Sequence, residues 1–209
     1  MNTNFLLYLL VPVAFLMGSI PFGLIFTRGS GVDLRSTGSK NIGATNVLRS
    51  VGKVPAILTL LSDGLKGAAP VLICKYLLST INPEILTGEL WMSAIGLAAV
   101  LGHMFSVFLG FKGGKGVATG IGVVAAYSPP VSLIMIGIWI SVAIITKYSS
   151  LAALTAVSSL PVIYVIKGES AIAISFGIIL AALIIFKHKS NIKNLMSGAE
   201  SRIGKGKRS

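Results

Sequence analysis

The sequence predicts an all-α polytopic membrane protein of seven transmembrane helices, on three observations. Hydrophobic residues make up 54% of the 209-residue chain and charged residues 11%, with a mean hydropathy of +0.87, far outside a soluble globular profile. Apolar runs of membrane-crossing length alternate with short polar segments. Lysine and arginine segregate: with seven spans, N-terminus outside and C-terminus cytoplasmic, fifteen of eighteen fall inside, five in the first loop, two in the glycine loop, Lys147, and seven from Lys187 onward. The net charge of +12 would on its own suggest nucleic acid, but here it reflects loops facing anionic lipid, and no nucleic-acid partner is expected. The single cysteine, Cys74, excludes an internal disulfide and a Cys-based zinc site, and two distant histidines with few carboxylates make a protein-only metal cage improbable.

The first run, from about Phe5 to Phe26, is interrupted by Gly18 and Pro21 and is long enough for a hydrocarbon layer of roughly 30 Å. Its first basic residue, Arg28, follows the run, so it reads as a retained span rather than a cleaved signal. Residues 28–53 form a cytoplasmic loop with Arg28, Arg35, Lys40, Arg49 and Lys53. The second span, about Val54 to Leu78, carries Asp63 and Lys66 on one helical face, a pair that stabilises the bundle or supports the cytoplasmic site from behind. Ser79 to Glu89, with Pro83 and Glu84, is an outer turn, and the third span, about Leu90 to Gly110, contains His103 just below the next loop. That histidine either bonds a neighbouring helix or belongs to the site.

Val117 to Ser128, the Pro129–Pro130 pair and Val131 to Thr146 leave three arrangements open: two thin spans, a re-entrant hairpin, or one kinked span, the last disfavoured by the charge distribution. Lys147 marks an inner turn, Ser149 to Ile166 a span, Lys167 to Glu169 an outer turn, and Ser170 to Phe186 the last span. Residues 187–200 form a third polar loop and 201–209 a basic tail, so 1–209 reads as a single integral-membrane domain.

Three polar stretches emerge on one face. Ser36 to Arg49 is dense in Ser, Thr, Asn and Gly and ends in an arginine, which suits either an ordinary capping loop or donors for a phosphate. Residues 110–119 hold F-K-G-G-K-G-V-A-T from Phe111: Gly113, Gly114 and Gly116 permit a tight turn, Lys112 and Lys115 add ammonium donors, and a helix starting at Val117 adds its positive end. This is a topogenic basic turn or an oxyanion cradle. It is not a nucleotide P-loop, because the spacing from Gly110 to Lys115 is one residue short and Gly116 stands where Ser or Thr binds magnesium. With His188 to Glu200 the stretches make a donor-rich, carboxylate-poor site suited to a phosphorylated ligand. A transporter of an organic phosphate is the rival reading, although the spans from Val117 to Phe186 carry few polar groups to line a path.

G-S-K-N-I-G-A-T-N-V-L-R, then G-H-M-F-S-V-F-L-G-F-K-G-G-K-G-V-A-T, then H-K-S-N-I-K-N-L-M-S-G-A-E closely resemble the three motifs of the bacterial acyl-phosphate:glycerol-3-phosphate acyltransferases, the PlsY family. The resemblance implies a seven-helix inner-membrane enzyme with its site facing the cytoplasm. It would move a fatty acyl group from acyl phosphate to the sn-1 hydroxyl of glycerol 3-phosphate, giving lysophosphatidic acid, with neither CoA nor acyl carrier protein and with no metal or other cofactor. Matched residue by residue, it places substrate contacts on Ser39, Arg49, His188 and Asn191 with Lys112 or Lys115, adds Asn41, Thr45 and Asn46 from the first motif, and closes the third with Glu200. Gly113, Gly114, Lys115 and Gly116 would bind acyl phosphate and the developing oxyanion, and His188, Lys115 and Ser39 are the catalytic candidates, with a substrate phosphate oxygen as the alternative base. Lys40 departs from the family's usual glycine, which would strain any backbone angle that needs glycine, and Lys193 stands where arginine is common.

Overall fold

A computed structural model describes residues 3–81 and 88–203. Within them the helices are α1 (Thr3–Ser19), α2 (Phe22–Thr27), α3 (Ala44–Ser50), α4 (Lys53–Ile81), α5 (Gly88–Met104), α6 (Val117–Tyr127), α7 (Pro129–Thr146), α8 (Ser149–Ile166), α9 (Ala171–Lys187) and α10 (Lys189–Met196). Five stretches are long and apolar enough to cross a membrane, and α9 with α10, bent by 64°, makes a sixth if taken as one span. The outer-turn residues Pro83 and Glu84, and the tail from 204 onward, lie outside the described residues.

The first span is broken at Ile20–Pro21, as Pro21 predicts, and there the Ile20 carbonyl accepts the Lys66 ammonium at 2.7 Å beside the Phe22 N–H at 3.1 Å. α1 and α5 cross closely because Gly18 and Gly102 present no side chain: a Cβ on either would fall on a carbonyl oxygen of the other helix, at Ala99 and Phe15 respectively. Gly67 and Gly122 bring α4 and α6 together the same way. A second core joins α6, α8 and α9, where Tyr127 stacks on Phe176 with centroids 5.6 Å apart and Tyr164 is fully buried. Outward-facing aliphatics such as Val54, Leu65, Ile145 and Ile166 stay exposed, as a surface meeting lipid requires.

One expectation changes and two are refined. The third span, Gly88–Leu109, has nearly the expected bounds, but its α-helix stops at Met104 and a 3-10 turn at Val107–Leu109 completes it. Apolar residues continue past this point, but the His103 and Met104 carbonyls turn aside to accept the Gly114 and Gly113 N–H groups at 3.0 and 3.2 Å. Residues 28–53 and 187–200 are not simple loops, since they contain α3 and α10. Finally, of the arrangements open for residues 117–146, α6 and α7 form a hairpin and not the disfavoured single kinked span. Lys115, just before α6, bonds Asn191, while Ser149, just after α7, bonds Thr45, so α6 leaves and α7 returns to the same polar end. At eleven residues α6 is short, and the turn at Ser128 is followed by two prolines that open α7.

Candidate functional site

The first motif is shaped by Asn46, which is 1% exposed. Its amide nitrogen donates to the carbonyls of Leu34, Thr37 and Asn41 at 3.1, 3.0 and 2.8 Å, and its oxygen accepts the Ser39 N–H at 2.9 Å. Asn46 is thus spent on folding the loop, and what it presents is Ser39 and Asn41. Between these two, Lys40 takes φ +56°, a left-handed angle that glycine adopts freely and lysine does not. The backbone strain is about 1 kcal/mol, partly offset by glycine's larger loss of chain entropy on folding. Lys40→Gly is expected to raise the unfolding midpoint by about 1–2 °C, and a lower midpoint would show that the lysine side chain contributes more than its backbone costs.

The glycine turn divides its lysines. Lys115 lines the site and donates from Nζ to Asn191 Oδ1 at 2.5 Å, whereas Lys112 is exposed and lines neither cavity described below. Its N–H groups are divided as well: those of Gly113 and Gly114, expected to meet an oxyanion, are bonded to Met104 and His103. The donors left without an acceptor among the described residues begin one step later, at Lys115, and run into the first turn of α6, whose positive end adds to them. Gly116 makes the corner at φ +82°.

The third motif closes the site. His188, 3% exposed between α9 and α10, donates from Nδ1 to the Ile184 carbonyl at 2.8 Å, which leaves Nε2 as an acceptor. Burial, with Lys115 nearby, pushes its pKa down to about 4 despite that carbonyl and Glu200, so the ring is neutral. Asn191 donates to Glu200 Oε1 at 2.8 Å, and Ser150 donates to the same oxygen at 2.5 Å. Arg49 reaches across with a two-pronged grip on Ser201, Nη1 to Oγ at 2.9 Å and Nη2 to the carbonyl at 3.0 Å, while its buried Nε has no partner. Burial lowers the Lys115 pKa, Glu200 raises it and Arg49 lowers it.

Two cavities meet here. A polar cleft of about 630 Å³ includes Gly38, Lys187, Ser190 and Asn194 in its wall. A second cavity of about 590 Å³ runs between α4, α6 and α7, lined by Leu61, Ile121, Ala125, Ile136 and Trp139. Ser39, Asn41, Lys115, Asn191 and Glu200 belong to both walls; Thr45, Asn46, Arg49, Gly116 and His188 line the second, and Gly113 and Gly114 the first. Ser149, Ser150, Ser201 and Lys187 were not anticipated. A serine opening a helix is an ordinary cap and carries no distinguishing signal, and Lys187, bonded to the Met104 carbonyl at 2.9 Å, reads in sequence as a span-end lysine.

An all-helical membrane protein with a cationic, donor-rich cleft opening into an apolar groove is built for an amphiphile with an anionic head. Comparison with known proteins gives the particular case. Residues 8–198 match the family model for glycerol-3-phosphate acyltransferase. The chain is 46% identical to the glycerol-3-phosphate acyltransferase of Geotalea daltonii, over 90% of this chain and 93% of the relative, and 43% identical to that of Geobacter sulfurreducens, over 93% and 96%. Its fold is similar to crystal structures of PlsY (YgiH), an integral membrane glycerol 3-phosphate acyltransferase. The glycerol 3-phosphate form matches with TM-score 0.86, 42% identity and coverage of 95% and 96%; the lysophosphatidic acid form matches with 0.84, 41% and 95% of each chain. The chain belongs to the glycerol-3-phosphate acyltransferase family and is an acyltransferase of phospholipid biosynthesis. The transporter alternative is thereby set aside.

Proposed function

We propose that the enzyme takes its acyl group from acyl phosphate, without CoA or carrier protein, and delivers it to the sn-1 hydroxyl of glycerol 3-phosphate. It works at the cytoplasmic face of a bacterial inner membrane, within one domain of seven crossing helices, N-terminus outside and C-terminus inside. The observation that carries this reading is the junction of the two cavities: the groove takes the acyl chain, the cleft takes glycerol phosphate, and five shared residues stand where the reacting ends meet. The hydroxyl oxygen attacks the acyl carbon, the carbon–oxygen bond to phosphate breaks, and phosphate leaves with the electron pair. An acyl phosphate is already activated, so no protein nucleophile is needed; the protein orients two anions against their repulsion. Arg49 and Lys115 neutralise them, Ser39 and Asn191 fix the glycerol phosphate, and the free N–H groups from Lys115 into α6 seat the acyl phosphate and its oxyanion.

The proton of the attacking hydroxyl goes to a phosphate oxygen, while His188 Nε2 accepts a hydrogen bond from the neighbouring sn-2 hydroxyl and so orients the glycerol. A ring titrating at about 4 is a weak base at neutral pH, whereas a phosphate monoester with a second ionisation near pH 6 is better matched. The acid limb of kcat/KM is therefore expected near pH 6 and to survive in His188→Asn; its disappearance, with a loss beyond about a hundredfold, returns the base to His188. Folding stability follows the ring as well. Between its ordinary value of 6.5 and about 4 the unfolded chain binds a proton that the folded chain refuses, so the unfolding midpoint falls as pH drops through that window.

The donor is tested with purified protein in lipid, given palmitoyl phosphate and glycerol 3-phosphate alone, by following phosphate release and lysophosphatidic acid. Product is expected. Failure with acyl phosphate but turnover with acyl-CoA would overturn the donor assignment.

A further inference from the structure

Beneath the glycine turn lies a buried polar cluster that the transfer described above leaves unused. Asp63 and Lys66, one turn apart on α4, meet at 2.8 Å, and His103 on the last turn of α5 brings Nδ1 to 3.7 Å from the same carboxylate oxygen. The three residues are 3%, 5% and 5% exposed. Lys66 is further held by the Ile20 carbonyl. The other two are less well served: Asp63 Oδ1 has the ion pair but no aligned hydrogen bond, and His103 Nδ1 has no hydrogen bond among the described residues. Both Asp63 and His103 face the groove cavity next to Lys115 and Gly116. Charged groups in a membrane interior are expensive, and packing gives no need for them here, since α4 and α5 also meet through apolar side chains such as Val71 and Val100.

What His103 touches supplies a role. Its carbonyl accepts the Gly114 N–H at 3.0 Å, and the neighbouring Met104 carbonyl accepts that of Gly113. The ring itself abuts the turn: a Cβ added to Gly114 would land on His103 Nε2. The imidazole is therefore wedged between a carboxylate on α4 and the glycine that precedes Lys115. We propose that His103, backed by Asp63 and charge-balanced by Lys66, is a positioning residue for acyl transfer. It fixes the turn so that Lys115 and the free N–H groups of α6 stand where the donor's phosphate arrives. The carboxylate, 3.7 Å from Nδ1 and beyond hydrogen-bond reach, holds the ring's orientation through its charge. This inference rests on the reading of those N–H groups as the phosphate seat.

The test uses the full-length enzyme in lipid with palmitoyl phosphate and glycerol 3-phosphate. His103→Phe keeps the ring's shape and loses its nitrogens. It is expected to lower kcat/KM for acyl phosphate by about 10- to 100-fold, as a misplaced reacting group does, while KM for glycerol phosphate stays within about twofold. His103→Asn, whose amide nitrogen replaces Nδ1, recovers part of the loss, and Asp63→Asn shows a smaller loss of the same kind. A second arm measures contact directly. Gly114→Ala is severe in the wild type and milder in a His103→Ala background, where the obstructing ring is gone, so the two substitutions are strongly non-additive. Should His103→Phe fail to fold, Asp63→Asn and the Gly114–His103 cycle decide. Wild-type kinetics in His103→Phe, equal losses toward both substrates together with a lower unfolding midpoint, or simple additivity would each overturn the proposal. A wild type that turns over acyl phosphate while His103→Phe is normal overturns this inference alone; a wild type inert toward acyl phosphate overturns the donor assignment instead.

Discussion

Lys115→Ala is expected to lower kcat/KM by about 10²- to 10³-fold, the scale on which removal of one preorganised donor at a developing charge is felt. Lys115 is the cation common to both cavities, and its ammonium sits 2.5 Å from Asn191 Oδ1 at the head of a chain that continues to Glu200 and Ser150. Alanine removes the charge and leaves that chain open at one end, with Glu200 facing Arg49 but no longer Lys115. Burial already pushes this lysine's pKa down, and Glu200 pulls it back, so the ammonium is poised for an incoming anion rather than neutralised by its surroundings. Lys112, three positions earlier on the same turn, is the internal control. Its side chain is exposed and outside both cavities, and Lys112→Ala should stay within about threefold of wild type, the range of a surface charge. Steady-state kinetics of both variants with both substrates check the pair. Equal losses at the two positions would mean that the turn acts through net charge and not through one placed ammonium.

The spans were the readable part of this chain because lipid imposes a length and excludes charge. Ser149 to Ile166 was expected as a span and is a helix with those bounds, and the break in the first span was marked by Pro21. The early end of α5 was not readable, since G-H-M-F-S-V-F-L-G stays largely apolar and the helix is stopped by carbonyl bonds to glycines nine and eleven residues on, a tertiary event without local signature. α10 was hidden for the opposite reason: K-S-N-I-K-N-L-M has too few apolar residues to announce a helix, and the turn is made by packing of Asn191 against the site. Residue types flagged the three motifs, but not the division of labour within them. That Asn46 folds the loop while Ser39 lines the cleft follows from bonds to Leu34, Thr37 and Asn41. The serines that complete the site join partners 104, 50 and 152 positions away, at Thr45–Ser149, Ser150–Glu200 and Arg49–Ser201. Separations of that size leave no periodicity to read.

Arg49→Ala is expected to raise KM for glycerol 3-phosphate by about a hundredfold with a much smaller change in kcat. A guanidinium meets a phosphate through two parallel charge-assisted bonds, and losing both removes about 3 kcal/mol of binding that substrate and transition state share. The fork is already formed, since Ser201 offers its hydroxyl and carbonyl oxygens to Nη1 and Nη2 much as two phosphate oxygens would. Nε is buried beside them without a partner, so the guanidinium retains a donor for a third contact. Glycerol phosphate therefore competes with Ser201 for the same two nitrogens, and the net gain from binding is smaller than the fork alone would provide. Two further substitutions separate these contributions. Arg49→Lys keeps the charge and loses the fork, and should recover no more than part of the affinity. Ser201→Gly removes the hydroxyl competitor and should leave KM equal to wild type or lower. Arg49→Ala with KM within about twofold of wild type would reduce Arg49 to an anchor for the chain end; in that case the unfolding midpoint, not KM, would carry the effect.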